Sequence, residues 1–174
     1  MLSVFKCVPE AIIPTYGTAS SACFDLYACL TKNSLVKSFV PFPCNPFGSS
    51  EFSRTFTIDD KLEFQLPSGA RALVPTGLKF NIPPSHSLRL HPRSGLAFKS
   101  GITLSNCEGV IDEDYVEQVY VSIYNISPCS VTIRHGDRIC QGELVKDVRA
   151  NIKETFDEPK IKTDRKGGFG STGV

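Results

Sequence analysis

The chain has 174 residues, with 19 basic and 18 acidic side chains and a formal charge of +1. That length predicts one domain, two at most, and the balanced charge excludes a duplex-binding surface driven by a clustered basic excess. A hydrophobic content of 41% with 21% charged residues excludes wholesale disorder, and no apolar run approaches the ~20 residues that span a bilayer, so neither nucleic acid nor membrane is an expected partner.

Period-two alternation recurs along the chain. The segment Ser20-Ser21-Ala22-Cys23-Phe24-Asp25-Leu26-Tyr27 reads as an apolar strand carrying one carboxylate, Asp25, which is either edge-exposed or functional. Residues 33–60 break the rhythm with Phe39, Phe42, Phe47, Phe52 and Phe56 among Pro41, Pro43 and Pro46. Prolines exclude a central strand, so this stretch is expected to be a loop or an extra hairpin. Alternation resumes at residues 61–66, and again at Leu78, Phe80 and Ile82. Pro92-Arg93-Ser94-Gly95 ends the next strand, and residues 94–100 are compatible with one short helical turn. Gly109-Val110-Ile111-Asp112-Glu113-Asp114-Tyr115 puts three acids beside an aromatic. At most two of those acids can face one site, since successive strand side chains alternate; the other reading is a polar hairpin tip. Val119, Val121 and Ile123 alternate with polar or aromatic residues, and Val131 and Ile133 lead into Gly136-Asp137-Arg138-Ile139-Cys140-Gln141. There Asp137 is expected to cap a turn and Arg138 to pair with an acid. Strands of this length, separated by Pro-Ser-Gly, Pro-Pro and His-Gly-Asp, predict an all-β, jelly-roll-like sandwich or barrel. The end of the chain, Gly167-Gly168-Phe169-Gly170-Ser171-Thr172-Gly173-Val174, holds no strand or helix unaided. It is either a disordered tail or a nucleotide lid in which amides and hydroxyls wrap an anion and Phe169 stacks on a base.

The seven cysteines (Cys7, Cys23, Cys29, Cys44, Cys107, Cys129 and Cys140) include no C-x-x-C pair. An odd number without a signal-peptide pattern predicts reduced thiols in a cytoplasmic protein, most of them packed as small hydrophobes. His86, His91 and His135 show no zinc-ligand spacing.

Five of these segments, taken in order, resemble the trimeric dUTP pyrophosphatase (dUTPase) family. The matching motifs are residues 19–27 ending in Asp25-Leu26-Tyr27, Pro92-Arg93-Ser94-Gly95-Leu96-Ala97, residues 109–115, residues 136–141 and residues 167–173. The resemblance implies a homotrimeric β jelly roll with three active sites between subunits. The implied reaction converts dUTP and water to dUMP and pyrophosphate, with Mg2+ on the triphosphate, clearing dUTP from the nucleotide pool and supplying dUMP for dTMP synthesis. By that resemblance Asp112 orients and deprotonates the water that attacks the α-phosphorus in line. Tyr115 packs under the deoxyribose. Asn106 matches a position that contacts uracil in some members, and backbone groups of Gly109, Val110 and Ile111 read the base edge. Arg93, Ser94, Gly95 and Gln141 hold phosphates, while Asp25 meets Mg2+ through its waters. Phe169 stacks on uracil, with Gly170, Ser171, Thr172 and Arg165 closing on the γ-phosphate. The implied layout is a β domain over 1–163, with an insertion at about 33–60, and a flexible lid arm over 164–174. The cytoplasm is the expected compartment, or the host cytoplasm for a viral chain.

The sequence also departs from the family pattern. Cys23 stands where glycine is usual, Glu117 replaces a common glycine, and Arg165 lies one residue nearer the glycines than usual, with Asp164 in its place. The 33–60 stretch is longer than the usual connection and could serve a protein partner. Two alternatives follow: a nucleotide-gated regulatory binding protein using that stretch, and the related dCTP deaminase, which lacks a placeable catalytic glutamate here.

Overall fold

The computed structural model describes residues 1–39 and 53–164. The chain enters through β1 (Ser3–Lys6), β2 (Thr15–Tyr16) and β3 (Phe24–Tyr27), then forms β4 (Leu35–Phe39) and β5 (Ser53–Thr57). It continues through β6 (Glu63–Leu66), β7 (Arg71–Pro75), β8 (Leu78–Asn81) and β9 (His86–His91). The helix α1 (Ser94–Ser100) precedes β10 (Ile102–Leu104), β11 (Gly109–Ile111), β12 (Tyr120–Asn125), β13 (Val131–Arg134) and β14 (Arg138–Lys146).

Two five-stranded antiparallel sheets, in the orders β10-β12-β7-β4-β5 and β11-β9-β14-β3-β2, form a jelly-roll-like sandwich. The ribbons β1-β8 and β13-β6 flank them. Alternation along the strands decides which residues enter the space between the sheets. Val121 and Ile123 of β12 and Ala72 and Val74 of β7 turn inward from one sheet. Phe24 and Leu26 of β3 and Leu88 and Leu90 of β9 turn inward from the other, and all belong to one apolar core. Fully burying a Leu, Ile or Val side chain contributes roughly 1.5–3 kcal/mol, so this shared core is what fixes the sheets' registers. Buried Asn125 ends β12 with its amide donating to the Leu66 and Cys129 carbonyls at 2.9 and 2.8 Å.

The expected alternating runs match β6, β8, β12 and β13. The run expected from residue 61 starts two residues late, because Asp59 accepts from the Lys61 amide at 2.9 Å and Leu62 takes a positive φ of 52°. The short helical turn forms over Ser94–Ser100. It ends at Gly101, whose φ of 65° is left-handed and where a Cβ would come within 2.7 Å of the Ser127 Cβ.

The 33–60 stretch is a hairpin where it is described, with Leu35 opposite Thr57 and Phe39 opposite Ser53. Contrary to the expectation from its prolines, β4 is an inner strand, paired with β7 as well as β5. The reason is position: Pro41, Pro43 and Pro46 all come after the last β4 residue, outside the described residues. Val36 and Ile58 are fully buried in the sandwich core. Two of the phenylalanines have local partners, with Phe56 stacked on Phe64 at 5.2 Å between ring centroids and the Arg71 guanidinium 4.4 Å from the Phe39 ring.

Candidate active site

Adjacent strands β3 and β14, with the α1 entry, assemble the first group of expected site residues. Asp25 lies opposite Gln141, and Gln141 lies opposite His91 on its other side. Cross-strand partners project to the same face, so Asp25 and Gln141 share one surface. Asp25 is buried, and each of its carboxylate oxygens accepts from a guanidinium. Arg93 Nε donates to Oδ1 at 3.0 Å and Arg138 Nη1 donates to Oδ2 at 3.1 Å. Arg93 also donates through Nη1 to the Arg138 carbonyl at 3.2 Å. The solitary acid of the first motif is therefore not an edge residue but the anionic centre of an arginine pair. The acid that the sequence predicts for Arg138 is Asp25, brought to it by the antiparallel register between β3 and β14.

Asp137 caps the preceding turn, its Oδ2 accepting from the Arg134 amide at 2.8 Å, and Gly136 takes a φ of 81°. Next to this group a cavity of ≈ 350 Å³ is lined by Arg93, Leu96, Ser100, Asp137 and Arg138. Ser94 and Gly95 are exposed in the first turn of α1, and a Cβ on Gly95 would meet nothing within 4 Å. Beneath the pair, burial pushes the Cys140 thiol far above the ordinary thiol range. The neighbouring Asp25 charge adds to that rise and Arg93 opposes it.

The second group occupies the connection between β10 and β11, β11 itself and the turn after it. This connection passes from one sheet to the other, β10 pairing with β12 and β11 with β9. Asn106 and Val110 are exposed, Ile111 is half-buried, and Gly109 is buried against Leu90, where a Cβ would lie 3.0 Å from the Leu90 Cβ. Asp112 is exposed, and its carbonyl accepts from the Tyr115 amide at 3.1 Å. The Tyr115 hydroxyl donates to the Gln118 carbonyl at 2.9 Å. The three acids lie in the turn after β11 rather than on a strand, so strand alternation does not sort them. Glu113 accepts from the Ser85 amide at 2.7 Å, tying the turn to the start of β9. Glu117 pairs with Lys79 at 3.2 Å.

Asp112 and Arg93 do not meet within this chain, although Gly109, at the other end of the second group, lies opposite Leu90, next to His91. Ile111 lies opposite Leu88, so Asp112 is level with Ser87, six positions before Arg93. At about 3.3 Å per strand residue this is roughly 20 Å. Arg165, Phe169, Gly170, Ser171 and Thr172 lie outside the described residues.

Comparison with known proteins yields one consistent family. A family model described as dUTPase matches residues 48–173. The deoxyuridine 5'-triphosphate nucleotidohydrolase of Finegoldia magna is 42% identical over 140 residues, covering 79% of this chain and 94% of the relative. The Salmonella typhimurium protein of the same name is 41% identical over 165 residues, covering 92% and 87%. Among solved structures, Staphylococcus bacteriophage 80alpha dUTPase with dUPNHPP superposes with a TM-score of 0.74 at 18% identity, covering 100% of this chain and 99% of that one. A dUTPase from Streptococcus mutans gives 0.63 at 22% identity, covering 86% and 98%. With a family model spanning most of its length and relatives above 40% identity, the chain belongs to the dUTPase family.

Proposed function

We propose that this chain hydrolyses dUTP to dUMP and pyrophosphate, at sites completed between copies of a homotrimer. The observation that carries the proposal is the arginine pair on Asp25, beside Gln141 and an open cavity, in a chain of the dUTPase family. A planar guanidinium suits phosphate oxygens, and Gln141, Ser94 and Gly95 offer further neutral donors. The roughly 20 Å between Asp112 and Arg93 along β9 supports a site shared between subunits, because one protomer cannot bring both to one phosphorus.

In this reading the exposed Asp112 carboxylate orients a water and takes its proton during in-line attack on the α-phosphorus. A positioned base typically contributes about 10²–10⁴-fold, and the remainder comes from donors placed around the phosphates. Asn106 and the backbone of Gly109, Val110 and Ile111 face the base, and Tyr115 closes under the deoxyribose. Uracil presents an acceptor where cytosine presents a donor, so mispairing a buried polar group can discriminate by roughly 10⁴–10⁵. Thymine is excluded only by overpacking, typically about 1–3 kcal/mol. Phe169, Gly170, Ser171, Thr172 and Arg165 complete the lid over 164–174 proposed from their sequence.

The family is generally metal-dependent, and Mg2+ is the proposed ion. Both Asp25 oxygens already accept from guanidinium groups, which leaves contact through water as the fitting mode for an ion that keeps several of its waters. When bound, Mg2+ supplies charge neutralisation on the triphosphate. The proposed compartment is the cytoplasm, or the host cytoplasm for a viral chain, where thiols such as the six free ones described persist. Among the described residues no helix is long and apolar enough to cross a membrane.

The nucleotidohydrolase relatives favour catalysis over the nucleotide-gated binding alternative. The test is pyrophosphate release from dUTP against dTTP, dCTP and UTP. Preference for dUTP, abolished by Asp112→Asn with nucleotide binding retained, is the expected result. Ammonia release from dCTP, or full turnover by the Asp112→Asn protein, would overturn the assignment.

A further inference from the structure

Three donors that the reaction does not use converge on the face of the sheet that carries Asp25. Cys23 Sγ, a ring nitrogen of His91 and a Glu143 carboxylate oxygen lie within 4.8 Å of one another, all half-buried. They come from the residue preceding β3, from the end of β9 and from the middle of β14. No sequence spacing announces them, since 68 residues separate Cys23 from His91 and 52 separate His91 from Glu143. Glu143 lies two residues along β14 from Gln141 and shares its face, and His91 lies directly opposite Gln141 on β9, so the cluster borders the Asp25–Gln141 surface.

The imidazole is flanked by a carboxylate on each nitrogen. His91 Nε2 is 3.1 Å from Glu143 Oε2, and Nδ1 is 3.6 Å from Glu108 Oε1. Glu108 is held from behind by Arg89 at 3.4 Å, and Arg89 also contacts Asp147 and Ser87. A neutral imidazole carries only one N–H. With the N–H on Nε2, the 3.1 Å contact is an ordinary hydrogen bond to Glu143. With the N–H on Nδ1, toward Glu108, the Nε2 lone pair is free to share a cation with the Glu143 oxygen. A proton would satisfy that geometry without the thiol; a metal ion uses all three donors. The carboxylate behind the ring then fills the role that outer carboxylates play at histidine-ligated metal sites, fixing tautomer and ring orientation.

We propose that Cys23, His91 and Glu143 form a site for a borderline divalent cation of the Zn2+ class, with Glu108 orienting His91. Sulfur, imidazole and carboxylate at one centre match Zn2+ chemistry, with ligand bonds of about 2.0–2.3 Å and a fourth position left open. Hard Mg2+ has no use for a thiolate. In the free protein, burial and the Glu143 charge push the Cys23 thiol up, and a bound cation reverses that bias.

The probe is Co2+ followed by Zn2+, added to the reduced, chelator-treated full-length protein. One equivalent per chain should produce a thiolate-to-cobalt charge-transfer band that Zn2+ abolishes. Cys23→Ser should remove the band and weaken Zn2+ binding about tenfold or more. Glu108→Gln should keep the band and weaken binding about 10- to 100-fold. A measurement on the unmodified chain guards against misfolded variants: Zn2+ should slow alkylation of Cys23 but not of the exposed Cys107 and Cys129. Absence of the band, its persistence in Cys23→Ser, or equal Cys23 alkylation with and without Zn2+ would overturn the site. No readout involves nucleotide, so the result is independent of the proposed hydrolysis.

Discussion

Asp25 Oδ1 and Arg93 Nε meet at 3.0 Å although 68 residues separate them in the chain. Arg138 occupies the other carboxylate oxygen, but the two arginines are not equivalent. The Arg93 side chain is 23% exposed and the Arg138 side chain 52%. A half-exposed pair is largely screened and worth at most about 1 kcal/mol, whereas removing one partner of a buried pair costs up to about 3–5 kcal/mol. Arg93→Ala is therefore expected to destabilise the fold more than Arg138→Ala, as read by urea midpoints at fixed protein concentration. Under the proposed function Arg93→Ala also loses about 10²-fold or more in kcat/KM, and Arg93→Lys does not restore it because the planar fork is gone. Equal losses for the two alanine variants would contradict this ranking.

Gly109 offers a test of the crossover that joins the sheets. An added Cβ would stand 3.0 Å from the Leu90 Cβ and 3.1 Å from its Cδ1. Overpacking of this kind costs typically about 1–3 kcal/mol, and the backbone must shift to relieve it. Gly109→Ala should raise KM for dUTP several-fold with a smaller change in kcat, since the displaced backbone is the part proposed to read the base. An unchanged KM would remove Gly109 from that role.

The buried thiols predict a slope in stability with pH. Cys140 is pushed far above its ordinary value by burial and then by the Asp25 charge. Burial also raises Cys29, with smaller contributions led by Glu10. Unfolded, these groups ionise near an ordinary thiol value of about 8.5. Above that pH the unfolded chain has lost protons that the folded chain keeps, so stability falls as pH rises. A thiol held fully protonated across this range, as Cys140 is, contributes on the order of 1 kcal/mol per pH unit above the unfolded value. Urea midpoints measured from about pH 7.5 to about 9.5 should decline, and Cys140→Ala should flatten the decline. A midpoint that climbs with pH would refute it.

Much of the sandwich is legible in the chain because inward and outward residues alternate with period two. The alternation at 119–124 becomes β12 with Val121 and Ile123 inside. What the pattern does not carry is which strands become neighbours. Asp25 alone gives no sign that Arg138, 113 residues later, will reach its second oxygen. Cys23, His91 and Glu143 escape ligand-spacing rules for the same reason, being brought together by cross-strand register rather than by local sequence. Proline density over the whole 33–60 stretch misplaces β4, because exclusion from a sheet acts residue by residue.

Strand β9 separates the Asp112 turn from the Arg93 corner by most of its length, and this gives the enzyme a genetics of its own. A chain carrying Asp112→Asn keeps a sound arginine corner, and one carrying Arg93→Ala keeps a sound carboxylate turn. Under the proposed homotrimer, each assembly of one variant alone should be inactive. Co-refolded in equal amounts, the two should regain activity at the interfaces where intact halves meet, about one site in four for random mixing in a ring of identical contacts. Two null alleles would then complement each other inside one cell, which a site wholly contained in one protomer could never allow.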